Sequence, residues 1–223
     1  MTLPFLRRQP RIVTLAIDDG PSPVTASMIE KLNRARHRAV LFVLGENIEK
    51  YGEQVLIDAV RRGFALGNHS FSHPFFSKID LELARTEIAH TEVLIESIYK
   101  QARVKRHGQW FRFPYLDTGE ENFEPLQSLL KQFGFVQPEI VGRRVADWDL
   151  GRIDWPTTIN TRDWALPPQD EMRETLRQTR PSDVIEFHDK VETVEGYCDL
   201  LIEELAALSL TAAVPGVRAG LFR

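Results

Sequence analysis

The sequence lacks several features that would each assign it to a particular class of protein. Its single cysteine, Cys198, excludes an intrachain disulfide framework. Its longest unbroken apolar run, Ala39 to Leu44, has six residues, far fewer than the ~20 that a membrane-spanning helix needs. It has no long basic block, and its net charge of −4 is mildly acidic. We therefore expect no membrane span and no nucleic-acid partner.

The first residues also lack the pattern of a secretory signal. Arg7 and Arg8 are not followed by the apolar segment that such a signal requires. We therefore expect a cytoplasmic location, with an extracellular or periplasmic one as the alternative if a leader was removed. Hydrophobic residues make up 43% of the chain and charged residues 27%, which indicates a globular protein. We interpret residues 1–10 as a lead-in and residues 11–223 as one domain.

Strand-like and helix-like segments alternate along the chain. The predicted strands are short apolar or β-branched runs at 12–17, 39–44, 64–67, 110–113, 157–160 and 183–187. Apolar residues at helical spacing predict helices at 23–36, 51–62, 81–100, 123–133, 171–179 and 197–208. Residues 135–153 are interpreted as an irregular insertion. The alternation predicts an α/β fold with parallel strands, and about six or seven repeating units favour a barrel over an open sheet.

Clusters of polar residues follow five of the predicted strands, which is where catalytic groups lie in α/β barrels. These clusters are Asp18-Asp19, His69 to His73, Arg112 to Tyr115, Asn160 to Trp164 and His188-Asp189. Five such clusters at five strand ends indicate an active site rather than a chance distribution of polar residues.

His69 and His73 are four residues apart, which on one helical turn would place both imidazoles on the same side. Two histidines and one carboxylate are a frequent ligand set of catalytic metals, and either Asp18 or Asp19 is available as the carboxylate. The other acid would then act as a base. The alternatives are two ordinary loop histidines and a plain Asp-Asp-Gly-Pro turn, because these residue types favour turns.

In this order, the segments resemble the polysaccharide deacetylases of carbohydrate esterase family 4, also called the NodB-homology domain. The likeness covers nearly the whole chain, and its most specific part is the eight-residue match to the family's GNH[ST]xSHP segment. Five segments of the family have a counterpart in this chain. They are TFDDGP at Ala16–Pro21, GNH[ST]xSHP at Gly67–Pro74, FRxPY at Phe111–Tyr115, DxxDW at Asn160–Trp164 and hydrophobic-x-x-His-Asp at Ile185–Asp189.

The resemblance implies a distorted (β/α)7 barrel that hydrolyses the N-acetyl amide of an amino sugar in an acetylated glycan. It also implies a divalent metal, usually zinc with cobalt or nickel as alternatives, bound by Asp19, His69 and His73. This chemistry is consistent physically, because a metal lowers the pKa of water to ~7 and so makes a nucleophile at neutral pH. Chitin fragments, peptidoglycan and acetylated xylan all remain candidate substrates.

The resemblance assigns a catalytic role to four further residues. Asp18 is expected to be the general base, with Arg112 orienting it, and the backbone N–H of Tyr115 is expected to help hold the oxyanion. His188 is expected to be the general acid, because the pKa of histidine lies near working pH. The rival functions are an acetyl-ester hydrolase, a deacylase of a non-sugar amide, and a sugar-binding homologue without turnover.

One position departs from the family pattern. Asn160 replaces the first aspartate of the DxxDW segment, whose carboxylate the resemblance pairs with the acid histidine. An asparagine supplies no charge, so we expect His188 to have a lower pKa than in relatives. The residues that would compensate are Asp163, Asp189, Asp149 and Asp154.

Four aromatic residues lie near these segments and either stack on sugar rings or pack in the core. They are Trp110, Phe111, Tyr115 and Trp164.

Overall fold

The centre of the fold is a long buried strand, β1 (Ile12–Gly20), all of whose residues are buried. The computed structural model describes residues 11–140 and 152–216. Within these residues the strands that complete the sheet are β2 (Val40–Val43), β3 (Ala65–Asn68), β4 (Ile159–Asn160), β5 (Val184–His188) and β6 (Thr211–Ala212). Every pairing between them is parallel, in the order β3-β2-β1-β5-β4, and β6 pairs with the beginning of β1.

Helices occupy most of the connections between these strands. They are α1 (Thr25–Arg34), α2 (Gly45–Tyr51), α3 (Gln54–Arg61), α4 (Leu81–Ala102), α5 (Phe123–Phe133), α6 (Gln169–Arg177) and α7 (Val191–Ala207). The apolar faces of every helix in this list except α5 pack on one side of the sheet in a cluster with Val13, Leu15 and Ile17 of β1. The apolar face of α5 packs in a separate cluster with Phe111 and Phe113. Ala16 points the other way, into a cluster with Trp110 and Trp155. Because β1 has apolar neighbours on both faces, its residues before Asp18-Asp19 are apolar except for Thr14.

The predicted α/β class, the parallel strands and the single domain are confirmed. In the described residues the pairings form a path rather than a closed ring of seven strands. None of the described helices is long and apolar enough to cross a membrane. The lead-in 1–10 and Asp149 lie outside the described residues.

The predicted strand at 110–113 is reduced to a single parallel bridge between Asn68 and Phe111. Asn68 N donates to Trp110 O at 2.9 Å, and Arg112 N donates to Asn68 O at 3.1 Å. The next residue that would donate in the same direction is Pro114, which has no N–H. The pairing therefore stops there, and the chain turns into the cavity described below.

Most predicted helices agree with the structure to within two residues at each end, and two of them differ by more. The helix predicted at 51–62 is α3 and begins only at Gln54. A separate helix that was not predicted, α2, precedes it and ends before Gly52, whose φ of 88° is in the left-handed region. The helix predicted at 197–208 begins earlier, at Val191, because Thr193 Oγ1 accepts a hydrogen bond from Lys190 N and caps the first turn.

Candidate active site

The polar clusters predicted at the strand ends meet around one cavity of about 340 Å³. Parallel strands bring their carboxyl ends to the same edge of the sheet, and Asp18 on β1 lies directly beside His188 on β5. The cavity is lined by Asp18, Asp19, His69, His73, Arg112, Tyr115, Leu116, Asn160, Trp164, Glu186, His188 and Lys190. Every predicted site residue lines it except Asp163, which contacts His188 from behind.

Asp19, His69 and His73 form a compact set of donor atoms. Their available ligand atoms all lie within 4.8 Å of one another. Asp19 Oδ1 lies 3.6 Å from His69 Nε2 and 3.2 Å from His73 Nε2, and it is buried without a hydrogen-bond partner. Burial raises the pKa of Asp19, but the two imidazoles outweigh it and lower this pKa well below its usual range. The carboxylate is therefore ionised and its Oδ1 is available to a cation.

His69 has the protonation state that a metal ligand requires. Its Nδ1 lies 2.8 Å from Arg112 O, so Nδ1 carries the hydrogen and Nε2 keeps its lone pair. Burial lowers the pKa of His69 to about 3, so the ring is neutral at ordinary pH. One carboxylate and two imidazoles within this radius fit a divalent transition metal.

The two histidines do not lie on one helical turn, so that interpretation of their spacing was wrong. They lie in an irregular segment after β3, in which Ser70 and His73 have φ values of 71° and 62°. A non-glycine residue rarely adopts such angles unless its surroundings hold it there. Asn68 Oδ1 accepts a hydrogen bond from Ser70 N at 2.9 Å.

Glu87 on α4 also holds this segment and was missed by the sequence analysis. Its Oε2 accepts hydrogen bonds from Phe71 N at 2.8 Å and from Ser72 N at 2.7 Å. Its Oε1 accepts one from Ser72 Oγ at 2.7 Å. The only signal in the sequence was an acid beside Ile88 on the apolar face of α4, where a buried charge needs partners.

Asp18 is held from one side by Arg112, which is itself buried. Arg112 Nε donates to Asp18 Oδ2 at 2.7 Å, and Arg112 Nη2 donates to Glu186 Oε2. Burial raises the pKa of Asp18, while the charge of Arg112 opposes that rise. Asp18 Oδ1 is buried, has no hydrogen-bond partner and belongs to a residue that lines the cavity. Glu186 was missed, although an acid within the apolar run Val-Ile-Glu-Phe was a visible anomaly.

His188 is paired with Asp163. Its Nδ1 lies 2.7 Å from Asp163 Oδ1, and its backbone N donates to Asp163 Oδ2 at 2.8 Å. Burial lowers the pKa of the ring, but this hydrogen bond and the charges of Asp163, Asp18 and Asp19 outweigh it and raise the pKa of His188 to about 9. Because Nδ1 is engaged by Asp163, Nε2 is the nitrogen left to donate a proton elsewhere.

The structure differs from the expectation for Asn160. Its side chain accepts a hydrogen bond from Arg162 N at 2.9 Å and makes no recorded hydrogen bond to His188 within the described residues. Asp163, one of the residues named as compensation, supplies a charge beside His188, and a pKa lower than in relatives stays a prediction. Two of the other residues considered as compensation are engaged elsewhere, Asp189 with Ser22 and Asp154 with Arg152, and Asp149 lies outside the described residues.

The four aromatic residues separate into two pairs. Trp110 and Phe111 are buried in the core, whereas Tyr115 and Trp164 are 56% and 54% exposed and line the cavity. The Tyr115 ring is stacked on Phe75, with 3.9 Å between ring centroids. Of these four residues, Tyr115 and Trp164 are therefore the two available to a bound ligand.

Lys190 brings a cation to the edge of the donor set and was also missed. Its Nζ lies 2.8 Å from Asp19 Oδ2, so the two oxygens of this carboxylate face different partners. Burial lowers the pKa of Lys190, but Asp19 outweighs that effect and raises it. The residue stands directly after His188-Asp189, and no spacing rule marked it.

Comparisons with known proteins agree with this geometry. The sequence model of the family described as "Polysaccharide deacetylase" matches residues 6–135. The chain is 32% identical over 148 residues to the peptidoglycan-N-acetylmuramic acid deacetylase PdaC of Bacillus subtilis, a match that covers 65% of this chain and 27% of that protein. It is 31% identical over 143 residues to chitin deacetylase 1 of Saccharomyces cerevisiae, covering 64% of this chain and 40% of that protein. The matched region thus spans less than half of either relative.

Another relative is matched over most of its length. The chitooligosaccharide deacetylase of Azorhizobium caulinodans is 28% identical over 182 residues, covering 79% of this chain and 73% of that protein. Among solved structures, the family 4 carbohydrate esterase from Streptomyces lividans in complex with acetate superposes with a TM-score of 0.72 at 21% identity. That superposition covers 92% of this chain and 93% of the other, and it shows a shared fold.

Proposed function

The chain belongs to the polysaccharide deacetylase family of carbohydrate esterases, and from this premise we propose that it is a metal-dependent hydrolase. It removes N-acetyl groups from amino-sugar glycans of the chitooligosaccharide or peptidoglycan type. The single observation that carries the proposal is the cavity itself. A three-residue donor set, an acid with an unpartnered oxygen, and a histidine paired with an aspartate all face or support the same space.

The donor set of Asp19, His69 and His73 would hold the metal, most simply zinc. When bound, the metal supplies a Lewis acid that polarises the acetamido carbonyl and acidifies water. The backbone N–H of Tyr115 is assigned to the developing oxyanion, a role for which one donor typically contributes ~2.7–4 kcal/mol.

Proton movements are assigned to two side chains. Asp18 Oδ1 accepts a proton from the attacking water while Arg112 holds Oδ2, and the new C–O bond gives a tetrahedral intermediate. His188 then donates a proton from Nε2 to the sugar nitrogen as the C–N bond breaks, while Asp163 holds Nδ1. The immediate products are acetic acid and the free amine, which together contain all the atoms of the amide and the water. Acetic acid then loses its proton to solvent as acetate, and a proton leaves Asp18 while one returns to His188, so both groups regain their starting states.

The proposal is tested by measuring acetate release from a panel of glycans. The chain is stripped of metal and then loaded with zinc, cobalt or nickel. The panel contains N-acetylated chitooligosaccharides, peptidoglycan fragments and O-acetylated xylan. We expect metal-dependent release from the N-acetylated glycans. Release from xylan alone would assign an esterase instead, and saturable glycan binding without any acetate release would assign a sugar-binding homologue.

Asp163→Asn is expected to move the alkaline limb of the pH dependence of kcat/KM to lower pH by about 1–2 units. The hydrogen bond and charge of Asp163, together with the charges of Asp18 and Asp19, raise the pKa of His188 to about 9, so removing the charge of Asp163 lowers that pKa. The protonated acid is then lost at a lower pH as the pH rises. The measurement is a pH profile of acetate release, together with an NMR titration of the His188 ring.

The matched control is Asn160→Asp, which adds a carboxylate at a position that makes no recorded hydrogen bond to His188. We expect this control to move the limb less than Asp163→Asn. If Asp163→Asn leaves both the limb and the ring titration unchanged, the proposed pairing of acid and aspartate is incorrect.

A further inference from the structure

The carboxylate of Glu186 lies at the inner end of the cavity and takes no part in the proposed proton transfers. Glu186 lies on β5 two residues before His188, so both side chains point to the same face of the strand. Ala16 pairs with Glu186 as Asp18 pairs with His188, so Glu186 lies one step of ~6.6 Å deeper along the strand than the acid and the base. Glu186 therefore forms the floor of the cavity, below the groups that move protons.

One oxygen of this carboxylate has no partner among the described residues. The side chain is only 6% exposed, yet it lines the cavity. Its Oε2 accepts hydrogen bonds from Arg112 Nη2 and from Thr157 Oγ1, the second at 2.9 Å. Its Oε1 makes no recorded hydrogen bond within residues 11–140 and 152–216. Leaving a buried carboxylate oxygen without a donor costs free energy, so this oxygen indicates a donor that a ligand brings.

Two cations line the cavity, and both are engaged with other groups. Arg112 Nε donates to Asp18 Oδ2 at 2.7 Å, and Arg112 Nη1 donates to the backbone oxygen of Trp155 at 3.0 Å. Lys190 Nζ lies 2.8 Å from Asp19 Oδ2. The floor therefore has an excess of acceptors. Such a floor favours a neutral hydroxyl or N–H group and repels an anionic one.

The acyl group is the part of the substrate that would reach this floor. The exposed rings of Tyr115 and Trp164 line the cavity on its solvent side, where a wide and polar sugar ring can stay in contact with water. The reacting amide has to lie at the level of Asp18 and His188 to exchange protons with both. The substituent on its carbonyl carbon then points away from the sugar and toward Glu186.

We propose that Glu186 makes this pocket selective for acyl groups that end in a hydrogen-bond donor, and that the site hydrolyses N-hydroxyacetyl groups of amino sugars. This inference rests on the proposed function and specifies its acyl class. The hydroxyl of a hydroxyacetyl group donates to Glu186 Oε1, whereas the methyl of an acetyl group leaves that oxygen without a donor. Water adds and the C–N bond breaks as before, so the products are hydroxyacetic acid and the free amine.

The test compares two acyl groups of nearly equal size. The substrates are β-1,4-linked glucosamine trimers that carry either N-hydroxyacetyl or N-propionyl groups, and release of the free amine by the zinc-loaded chain is measured. We expect the ratio of kcat/KM, hydroxyacetyl to propionyl, to fall about tenfold or more in Glu186→Leu, because the hydroxyl loses a charged acceptor. Comparing this ratio between variants cancels the difference in chemical reactivity between the two amides.

Glu186→Gln is the second variant, and it preserves the shape of the side chain. Because Arg112 and Thr157 both donate to Oε2, the amide oxygen takes that position and the NH2 group replaces Oε1. We expect the ratio to fall here as well, by a smaller factor, because the hydroxyl can still accept from the amide. Thr157→Val is the matched control. It removes a donor to Oε2 but leaves Oε1 in place, so it should keep the ratio of the wild type.

Binding of both trimers is also measured by titration calorimetry in the Asp18→Asn background, in which turnover is expected to be slow. If the wild type releases no amine from trimers carrying N-acetyl, N-hydroxyacetyl or N-propionyl groups, the proposed function fails, and the calorimetric ratio alone decides the role of Glu186. The inference is overturned, with the deacetylase function intact, by a ratio that is unchanged in both Glu186 variants. A wild type that hydrolyses the N-acetyl trimer more efficiently than the N-hydroxyacetyl trimer overturns it as well.

Discussion

Asp18→Asn is expected to reduce kcat by a factor of about 10²–10⁴ while the chain still binds zinc. The asparagine side chain preserves the shape of the carboxylate and can still accept the hydrogen bond from Arg112 Nε, which is 2.7 Å from Asp18 Oδ2 in the wild type. An amide cannot accept the proton of the attacking water. Because Asp18 Oδ1 is buried without a hydrogen-bond partner, no other protein group is recorded as sharing that task within the described residues.

The matched control for this variant is Glu186→Gln. It also removes one negative charge bonded to Arg112, but at an oxygen that has no assigned proton transfer. We expect a much smaller loss of kcat in the control, with the melting temperatures of both variants recorded to separate folding from chemistry. If Asp18→Asn loses zinc in proportion to activity, Asp18 is a metal ligand and the roles of the two adjacent acids must be exchanged.

His69→Ala and His73→Ala are each expected to weaken zinc binding more than roughly 100-fold. Loss of a residue that only hydrogen-bonds to a metal ligand typically weakens metal binding by roughly 10–100-fold, and loss of a ligand should cost more. Each substitution removes one of the three donors that lie within 4.8 Å of one another, and two donors cannot hold the metal as tightly. The measurement is zinc content by elemental analysis after dialysis, followed by calorimetric titration of the stripped chains. This readout does not depend on turnover.

His107→Ala is the control for the histidine variants, because this residue is exposed and lies outside the donor set. We expect it to keep the zinc affinity of the wild type. Retention of full zinc occupancy by both His69→Ala and His73→Ala would show that the metal, if any, binds elsewhere, and the proposed mechanism would lose its basis.

Much of the site could be predicted from the sequence, for a simple reason. In a parallel α/β fold each strand carries the residues after it to the same edge, so a polar cluster after a strand indicates a position at that edge. This rule placed Asp18, Asp19, His69, His73 and His188 around one cavity without any knowledge of the tertiary contacts. The same rule placed Arg112 and Tyr115 there, and the motif likeness indicated the family whose model matches residues 6–135.

Local structure was predicted less well where backbone geometry depends on distant groups. The spacing of His69 and His73 suggested a helical turn, yet the segment between them is irregular. Its backbone N–H groups donate to Glu87 on α4. The strand at 110–113 was reduced to one bridge because Pro114 cannot donate to the ladder. In both segments the side chains that line the cavity were predicted correctly. The local backbone structure was not, because it depends on hydrogen-bonding groups elsewhere in the chain.

The sequence by itself determined the fold class, the edge at which the site lies and the residue types that carry its chemistry. Only the tertiary structure decided which groups pair there. Arg112 meets Asp18 across 94 residues, and Asp163 rather than Asn160 meets His188. These pairings follow from burial, because an ionised group that is removed from water needs a hydrogen-bonded partner. The fold determines which partner is close, and the separation of two residues along the sequence does not.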